Sequence, residues 1–441
     1  MSKRTKLDRR KSNPDFRARN NLPSPPIEEI QRRIGKSLTP NSFAAARGQF
    51  KALGLRERIL TLPVMVCFVL SLVWRRIASV SELLRILERE GLFDIEPLHV
   101  TKQALSQRLD KLPAAVFLAV FNEALQEIAK QPVASTPVCP ELAAIRHKFP
   151  VCYVADGSTL EALRKQLKEH REEAQTRLGG KMIGVIDVYT RRGVRAWYGT
   201  KATANDKSFS HEISEFLVKG SLVIFDTGFF SFPLFDHLTD ERKFFVTRLR
   251  EKTAYKVVEV LSEGQYYRDE IVECGVYRSN PCRHKLRIVS VLWGHLWYRY
   301  VTNVLDDNQL SAREVCHLYR RRWRVEEAFL LTKRLLGLSY FWSSSQNSIE
   351  IQVYATWLFY AVLTSVCTEV ASALSQPVER ISVEMVFRSF YHFNRAREMG
   401  EDPVLITFLA KHAKLFGLVK EERKRHREKD KLNQLIWGSL S

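Results

Sequence analysis

KFPVCYVADGSTL, from Lys148 to Leu160, is an apolar run that ends in Asp-Gly. A short apolar run closed by a turn dipeptide reads as a strand. The segments after it set the fold. KMIGVIDVYTRRGVRAWYG reads as two further strands joined by a turn at Arg191, Arg192 and Gly193. SHEISEFLVKG is a short helix that ends at Gly220, and SLVIFDTGFF (Ser221 to Phe230) is a buried strand that delivers Asp226 to a glycine-containing turn. SFPLFDHLTD reads as a helix and KFFVTRLR (Lys243 to Arg250) as another strand.

Three strands, helix, strand, helix, strand predicts an α/β core whose first three strands are antiparallel and whose later strands are parallel, the order of a ribonuclease-H-like fold. From about 251 to 310 come four more strand-like runs, YKVVEVL, QYYRDEIVE, HKLRIVSVLW and LWYRYVTNV. The expected ribonuclease-H-like core therefore spans 141–345, interrupted by a β-rich insertion, with helical N-terminal and C-terminal parts. Residues 1–40, basic and carrying NLPSPPIEE, read as a disordered arm and linker. Residues 41–140 read as a helical N-terminal domain and 346–441 as a helical C-terminal region. The latter begins with IEIQVYATWLFYAVLTSVCTEVASAL, a long buried helix, and ends in the charged tail KEERKRHREKDK.

Within the helical first part, HVTKQALSQRLDKLP offers Thr101 as an N-cap and Pro113 as a stop or a new start. Ala104, Leu105 and Leu109 would pack and leave Lys102, Gln103, Gln107 and Arg108 outward, as on the recognition helix of a helix-turn-helix or on any amphipathic helix. LTLPVMVCFVLSLVW (Leu60 to Trp74) is apolar for 15 residues. A membrane span needs roughly 20, so a buried helix is expected there and no membrane partner.

The 441 residues carry 69 basic against 49 acidic side chains, a formal net charge of +20. Such an excess predicts a polyanionic partner, nucleic acid before an anionic membrane. The seven cysteines (Cys67, Cys139, Cys152, Cys274, Cys282, Cys316, Cys367) are scattered and form no CxxC pair. That argues against a disulfide framework or a zinc site and fits a reducing compartment. The N-terminus has basic residues but no apolar core, so it is not a secretory signal.

YRRRWRVEEAFLLTKRLL (Tyr319 to Leu336) reads as one helix without Gly or Pro. At roughly 100° per residue, Tyr319, Arg322, Glu326 and Lys333 share a stripe about 60° wide, and Glu327 faces elsewhere. Taken alone this is an exposed helix laced with salt bridges. Together with Asp156 and Asp226, each at a strand end, Glu326 can complete a set of three carboxylates for divalent cations, with Mg²⁺ favoured by hard oxygen donors. The arginines and Lys333 would hold a DNA backbone beside them. Asp187, Asp206 and Glu212 are rival acids, and His211 reads as structural.

The spacing Y-x2-R-x3-E-x6-K, met by Tyr319, Arg322, Glu326 and Lys333, resembles the YREK signature of the insertion-sequence-four family of DDE transposases. DGSTL and DTGFF resemble the segments that carry that family's two aspartates, and the β-rich insertion before the glutamate helix is also its arrangement. The resemblance implies a ribonuclease-H-like core and dependence on Mg²⁺, with Mn²⁺ as substitute. It implies recognition of terminal inverted repeats, and cut-and-paste movement by cleavage and strand transfer within a dimer or higher multimer on double-stranded DNA. It makes Asp156, Asp226 and Glu326 the catalytic and metal-binding residues. Tyr319, Arg322 and Lys333, with neighbouring Arg321 and Trp323, become the DNA contacts. It implies a prokaryotic, cytoplasmic, nucleoid-associated protein. Trp293, Trp297 and Trp323 are candidates for stacking a flipped base, against core packing for each taken singly. Two other classes remain: a related DNA nuclease without strand transfer, and a transposase-derived DNA-binding regulator without catalysis.

Overall fold

The computed structural model describes residues 27–54, 58–77, 79–93, 95–130, 136–160, 179–338, 341–343 and 345–421. The described residues open with a series of helices: α1 (Glu28–Ser37), α2 (Pro40–Ala52), α3 (Leu62–Trp74), α4 (Val80–Glu90), α5 (Lys102–Lys111), α6 (Ala114–Ala129) and α7 (Pro140–Lys148). The sheet begins with β1 (Cys152–Thr159), β2 (Lys181–Asp187) and β3 (Gly193–Gly199). It continues through α8 (Ser210–Phe216), β4 (Leu222–Phe225), α9 (Phe232–Asp240) and β5 (Phe244–Arg248). Four more strands come next, β6 (Tyr255–Gly264), β7 (Tyr267–Cys274), β8 (Leu286–Trp293) and β9 (Leu296–Thr302). The last helices are α10 (Ala312–Arg321), α11 (Trp323–Arg334), α12 (Gln346–Ala373), α13 (Val383–Glu398) and α14 (Leu405–Lys411).

The nine strands among the described residues form one sheet, in the order β3-β2-β1-β4-β5-β9-β8-β7-β6. β1 runs antiparallel to β2 and β2 to β3, while β1, β4 and β5 run parallel. The four strands expected as an insertion are present and extend the core sheet. β9 pairs antiparallel with β5, Thr302 opposite Val246. A buried ion pair, Arg287 with Asp269, ties β8 to β7.

Side chains alternate across a strand, and the sheet divides the core accordingly. Cys152 and Val154 of β1, with Leu222 and Ile224 of β4, join the larger cluster, which includes α3, α6, α11 and α12. Ala155, Val223 and Phe225 join the other cluster, where Phe225, Phe235 and Phe245 stack under α9. α12 lies against β3 and α6. A Cβ on Gly184 of β2 would come within 2.6 Å of Trp357 on α12, so the close approach of helix to sheet requires glycine there. Among the described residues α12 is the one single helix long and apolar enough to cross a membrane. Its apolar window is wholly buried within the fold, as a core helix is.

Several expectations change. The arm expected to be disordered through residue 40 is helical over Glu28–Ser37, because Ile30 and Ile34 are fully buried against the core. Residues 1–26 and the tail from 422 lie outside the described residues. On α5, Thr101 caps as expected, accepting from the Ala104 N–H at 3.2 Å, and Leu105 is buried, but Ala104 is exposed. The helix expected from Tyr319 starts earlier, at Ala312, where Ser311 and Glu314 form a capping box. It is interrupted at Arg322, whose N–H bonds to the Tyr319 carbonyl at 3.0 Å, a tightened turn between α10 and α11.

Candidate active site

The pairing register places the first two acids. β1 and β4 pair in parallel through Ala155 opposite Phe225, so Asp156 and Asp226 stand at equivalent positions one residue further on. Both come two residues after side chains that face the larger core cluster, which is the side where α11 lies against β1 and β2. Asp156 is 6% exposed and its Oδ1 accepts the Gly157 N–H at 2.8 Å. Asp226 accepts from the Tyr319 hydroxyl at 3.2 Å.

Glu326 arrives from the first turn of α11. Arg322 Nη1 donates to Asp156 Oδ2 at 2.7 Å and to Glu326 Oε1 at 2.8 Å, so strand and helix meet on one guanidinium. The Glu326 side chain is 40% exposed, which leaves it open to solvent on its far side. Lys333 Nζ donates to the Thr159 carbonyl at 2.7 Å, at the end of β1. The four residues of the predicted stripe thus all face the ends of β1 and β4.

Burial pushes the Asp156 carboxyl up to about 7, against the pull of Arg322 and the Gly157 N–H, and with a further push from Asp226 and Asp206. Asp206, one of the rival acids, lies beside the same strand ends. Its carboxylate is wedged between Gly157 and Gly228, glycines that lie just after Asp156 and Asp226, and a Cβ on either would collide with it. Lys181 pairs with it and also donates to the Ala204 carbonyl at 2.7 Å. The signal was available only as two glycines in DGSTL and DTGFF, each close to an acid.

The other candidates lie apart. Glu327 faces away, in contact with Arg191, Arg324 and Lys420. Asp187 caps the turn after β2, accepting from the Tyr189 and Thr190 N–H groups. His211 pairs with Glu215 on the surface. Arg321 does not reach the carboxylates; it lies against Cys139 and His317. Of the tryptophans weighed between base stacking and core packing, Trp323 is 62% exposed, with the Arg322 guanidinium 4.8 Å from its ring centre. Trp297 is also exposed, while Trp293 is half-buried with Arg320 stacked on it at 4.5 Å.

The donor set at the strand ends is carboxylate oxygen throughout, the choice of a hard divalent cation. The raised Asp156 carboxyl reflects burial and crowded negative charge that such a cation would relieve. Asp156, Asp226 and Glu326 therefore fit a divalent metal in kind, although Arg322 stands between two of them. Among the described residues the one group of three ligand atoms mutually within 4.8 Å is elsewhere, at Cys139, Glu141 and His317.

The sheet is mixed, with acids at the ends of adjacent parallel strands and a third on a packed helix. Residues 147–362, which include all three acids, match the family model described as "Transposase DDE domain". The chain is similar to transposases of insertion sequences. It is 25% identical over 171 residues to "Putative transposase y4zB" of Sinorhizobium fredii (strain NBRC 101917 / NGR234), covering 37% of this chain and 47% of that protein. It is 21% identical over 164 residues to "Putative transposase for insertion sequence element IS4SA" of Synechocystis sp. (strain ATCC 27184 / PCC 6803 / Kazusa), covering 36% of this chain and 45% of that one. The chain thus matches somewhat under half the length of these curated relatives. The solved "Cryo-EM structure of piggyBac transposase synaptic complex with hairpin DNA (SNHP)" superposes with a TM-score of 0.35 at 11% identity, covering 90% of this chain and 76% of that chain, below the level of a shared fold.

Proposed function

We propose that this protein moves an insertion sequence by metal-dependent cleavage and joining of DNA, using a ribonuclease-H-like core in which Asp156, Asp226 and Glu326 are the catalytic acids. The observation that carries this reading is the parallel register that sets Asp156 beside Asp226, with Glu326 tied to Asp156 through Arg322. These three side chains would hold Mg²⁺, or Mn²⁺ in its place. The bound metal supplies activation of a water or 3′-hydroxyl and stabilisation of the leaving oxygen in an in-line displacement at phosphorus. Tyr319 orients Asp226, Arg322 sets the spacing of the other two acids, and Lys333 sits beside them as a cation for the DNA backbone. Trp323, exposed next to Arg322, is the tryptophan best placed to stack a displaced base.

The helices before β1 would bind the inverted repeats, with the exposed face of α5 (Lys102, Gln103, Gln107) as a reading surface. The helices after α11 would serve assembly into a dimer or larger complex on DNA, in a prokaryotic cytoplasm. The test is incubation with Mg²⁺ and a DNA fragment that ends in the element's terminal repeats. Release of a 3′-hydroxyl end that is then joined to a second DNA is the expected result. Cleavage without joining would make the protein a nuclease, and binding alone a regulator. Glu326→Gln, nearly the same shape but without the charge, should still bind DNA and should not cut it; retained cutting removes Glu326 from the reaction.

A further inference from the structure

A second polar cluster joins the two segments that deliver the acids. Cys139 immediately precedes α7, the helix before β1, and Glu141 lies in the first turn of that helix. His317 and Arg321 lie one turn apart on α10, which leads to Arg322 and Glu326. The Cys139 Sγ, a Glu141 carboxylate oxygen and a His317 ring nitrogen all lie within 4.8 Å of one another. A fourth side chain adjoins them. Glu379 is 8% exposed, and among the described residues neither of its carboxylate oxygens has a hydrogen-bond partner.

One atom occupies the centre of this set. Arg321 Nη2 lies 3.1 Å from Cys139 Sγ, 2.9 Å from His317 Nε2 and 4.0 Å from Glu379 Oε1. A single positively charged nitrogen thus stands where a thiol, an imidazole and a buried carboxylate converge. The arginine donates to the first two and leaves the Glu379 oxygens beyond hydrogen-bonding distance. The donor set of sulfur, nitrogen and oxygen is that of zinc, and unlike the carboxylates at the strand ends it is poorly suited to Mg²⁺.

We propose that Cys139, Glu141, His317 and Glu379 form a binding site for a zinc-class dication, which on entry displaces the Arg321 guanidinium. This reverses the reading of the cysteine spacing, in which the absence of a CxxC pair argued against zinc. Binding forms a metal–sulfur bond and breaks the Cys139 S–H bond, and the proton goes to solvent, while Arg321 leaves still protonated. The thiol does not ionise unaided: burial pushes it up to about 12 in the metal-free state. Burial and the neighbouring Arg321 push His317 down to about 4, so its ring is already neutral and able to ligate. The metal would clip α7 to α10 and to the turn at Val378–Arg380.

The test uses the full chain stripped of metal by a chelator and titrated first with Co²⁺ and then with Zn²⁺, without DNA. Expected is a cobalt–thiolate absorption band that saturates at one equivalent, is accompanied by release of one proton, is discharged by Zn²⁺ and is untouched by Mg²⁺. Cys139→Ser should abolish the band. Glu141→Gln, an exposed change that leaves the fold alone, should weaken zinc binding at least about tenfold. Arg321→Ala, which removes the competing cation, should tighten it. Absence of the band in the unaltered protein, its survival in a folded Cys139→Ser variant, or equal zinc affinity in Glu141→Gln each overturns the site. None of these readouts depends on DNA cleavage, so failure here leaves the proposed reaction standing.

Discussion

Arg322 Nη1 donates to Asp156 Oδ2 at 2.7 Å, and this bond connects the helix of the third acid to the strand of the first. Its partner is buried and lies close to two other carboxylates. Without the guanidinium, an ionised Asp156 would lose the counter-charge it is hydrogen-bonded to. Arg322→Ala should therefore cost on the order of 3 kcal/mol in stability, and Arg322→Lys should recover only part of it, because a point charge cannot replace the planar donor. The loss should be larger at pH 8 than at pH 5, where Asp156 is protonated. Thermal unfolding at both values checks this, and equal losses would rule out the electrostatic cause.

The acidity of Asp156 also gives the metal-free protein a pH profile. Its carboxyl is raised from an ordinary 3.8 to about 7, so the folded state holds a proton that the unfolded chain has given up. For a raised carboxyl the sign is fixed: the contribution is complete below pH 4, falls as pH rises and is gone above about pH 7. Its size is on the order of 2–4 kcal/mol. A divalent cation competes with that proton, so Mg²⁺ should raise the melting temperature more at pH 8 than at pH 5. Asp156→Asn should flatten the slope and remove most of the Mg²⁺ effect. Both can be read by differential scanning fluorimetry, and an unchanged slope in Asp156→Asn would assign the titration to another group.

Asp206 sets the shape of the same site. Its carboxylate fills the space beside Gly157 and Gly228, so Gly157→Ala should displace the loop after Asp156 and sharply reduce cleavage. Asp206→Ala opens that space, and the double variant should be less impaired than Gly157→Ala alone, a coupling that independent sites do not show. Asp206→Asn keeps the volume and removes a charge that raises Asp156, so the acid limb of the pH–rate profile should shift to lower pH. A coupling of zero between the two positions would mean that Asp206 and Gly157 do not share the space.

The parts of this molecule that were legible in its sequence are those governed by local patterns. Apolar runs between turn residues marked the five core strands and the four after them. The 100° step of a helix is enough to separate Glu326 from Glu327. The break at Arg322 carried no signal, since no Gly or Pro marks it; it falls at the residue whose guanidinium meets Asp156 across 166 positions of sequence. In the first helix the signal was present, with Ile27, Ile30 and Ile34 at helical spacing, but three nearby prolines outweighed it. The contact of Cys139 with His317, across 178 residues, has no spacing rule behind it and depends only on how α7 and α10 pack. Exposure at Trp297 and Trp323 was likewise illegible, because an isolated tryptophan looks the same in a core and on a surface.

Glu327 answers why one helix places two acids in succession among arginines. The first meets the strands, and the second neutralises a buried cation. Arg191, 2% exposed, lies 3.0 Å from Glu327 Oε2, and Lys420 Nζ donates to Oε1 at 2.6 Å. Burial alone would raise this carboxyl, yet Arg191, Lys420 and Arg324 hold it down at about 2 against an ordinary 4.5. A depressed carboxyl contributes stability that is present above pH 4.5 and lost as pH falls toward 2. Glu327→Gln should therefore lower stability at pH 7 by on the order of 2–4 kcal/mol, leaving Arg191 buried without its counter-charge. The gap from the unaltered protein should narrow as both are acidified. Cleavage per folded molecule should be preserved, in contrast to Glu326→Gln. A fully stable Glu327→Gln protein that has lost cleavage would exchange the roles of the two glutamates.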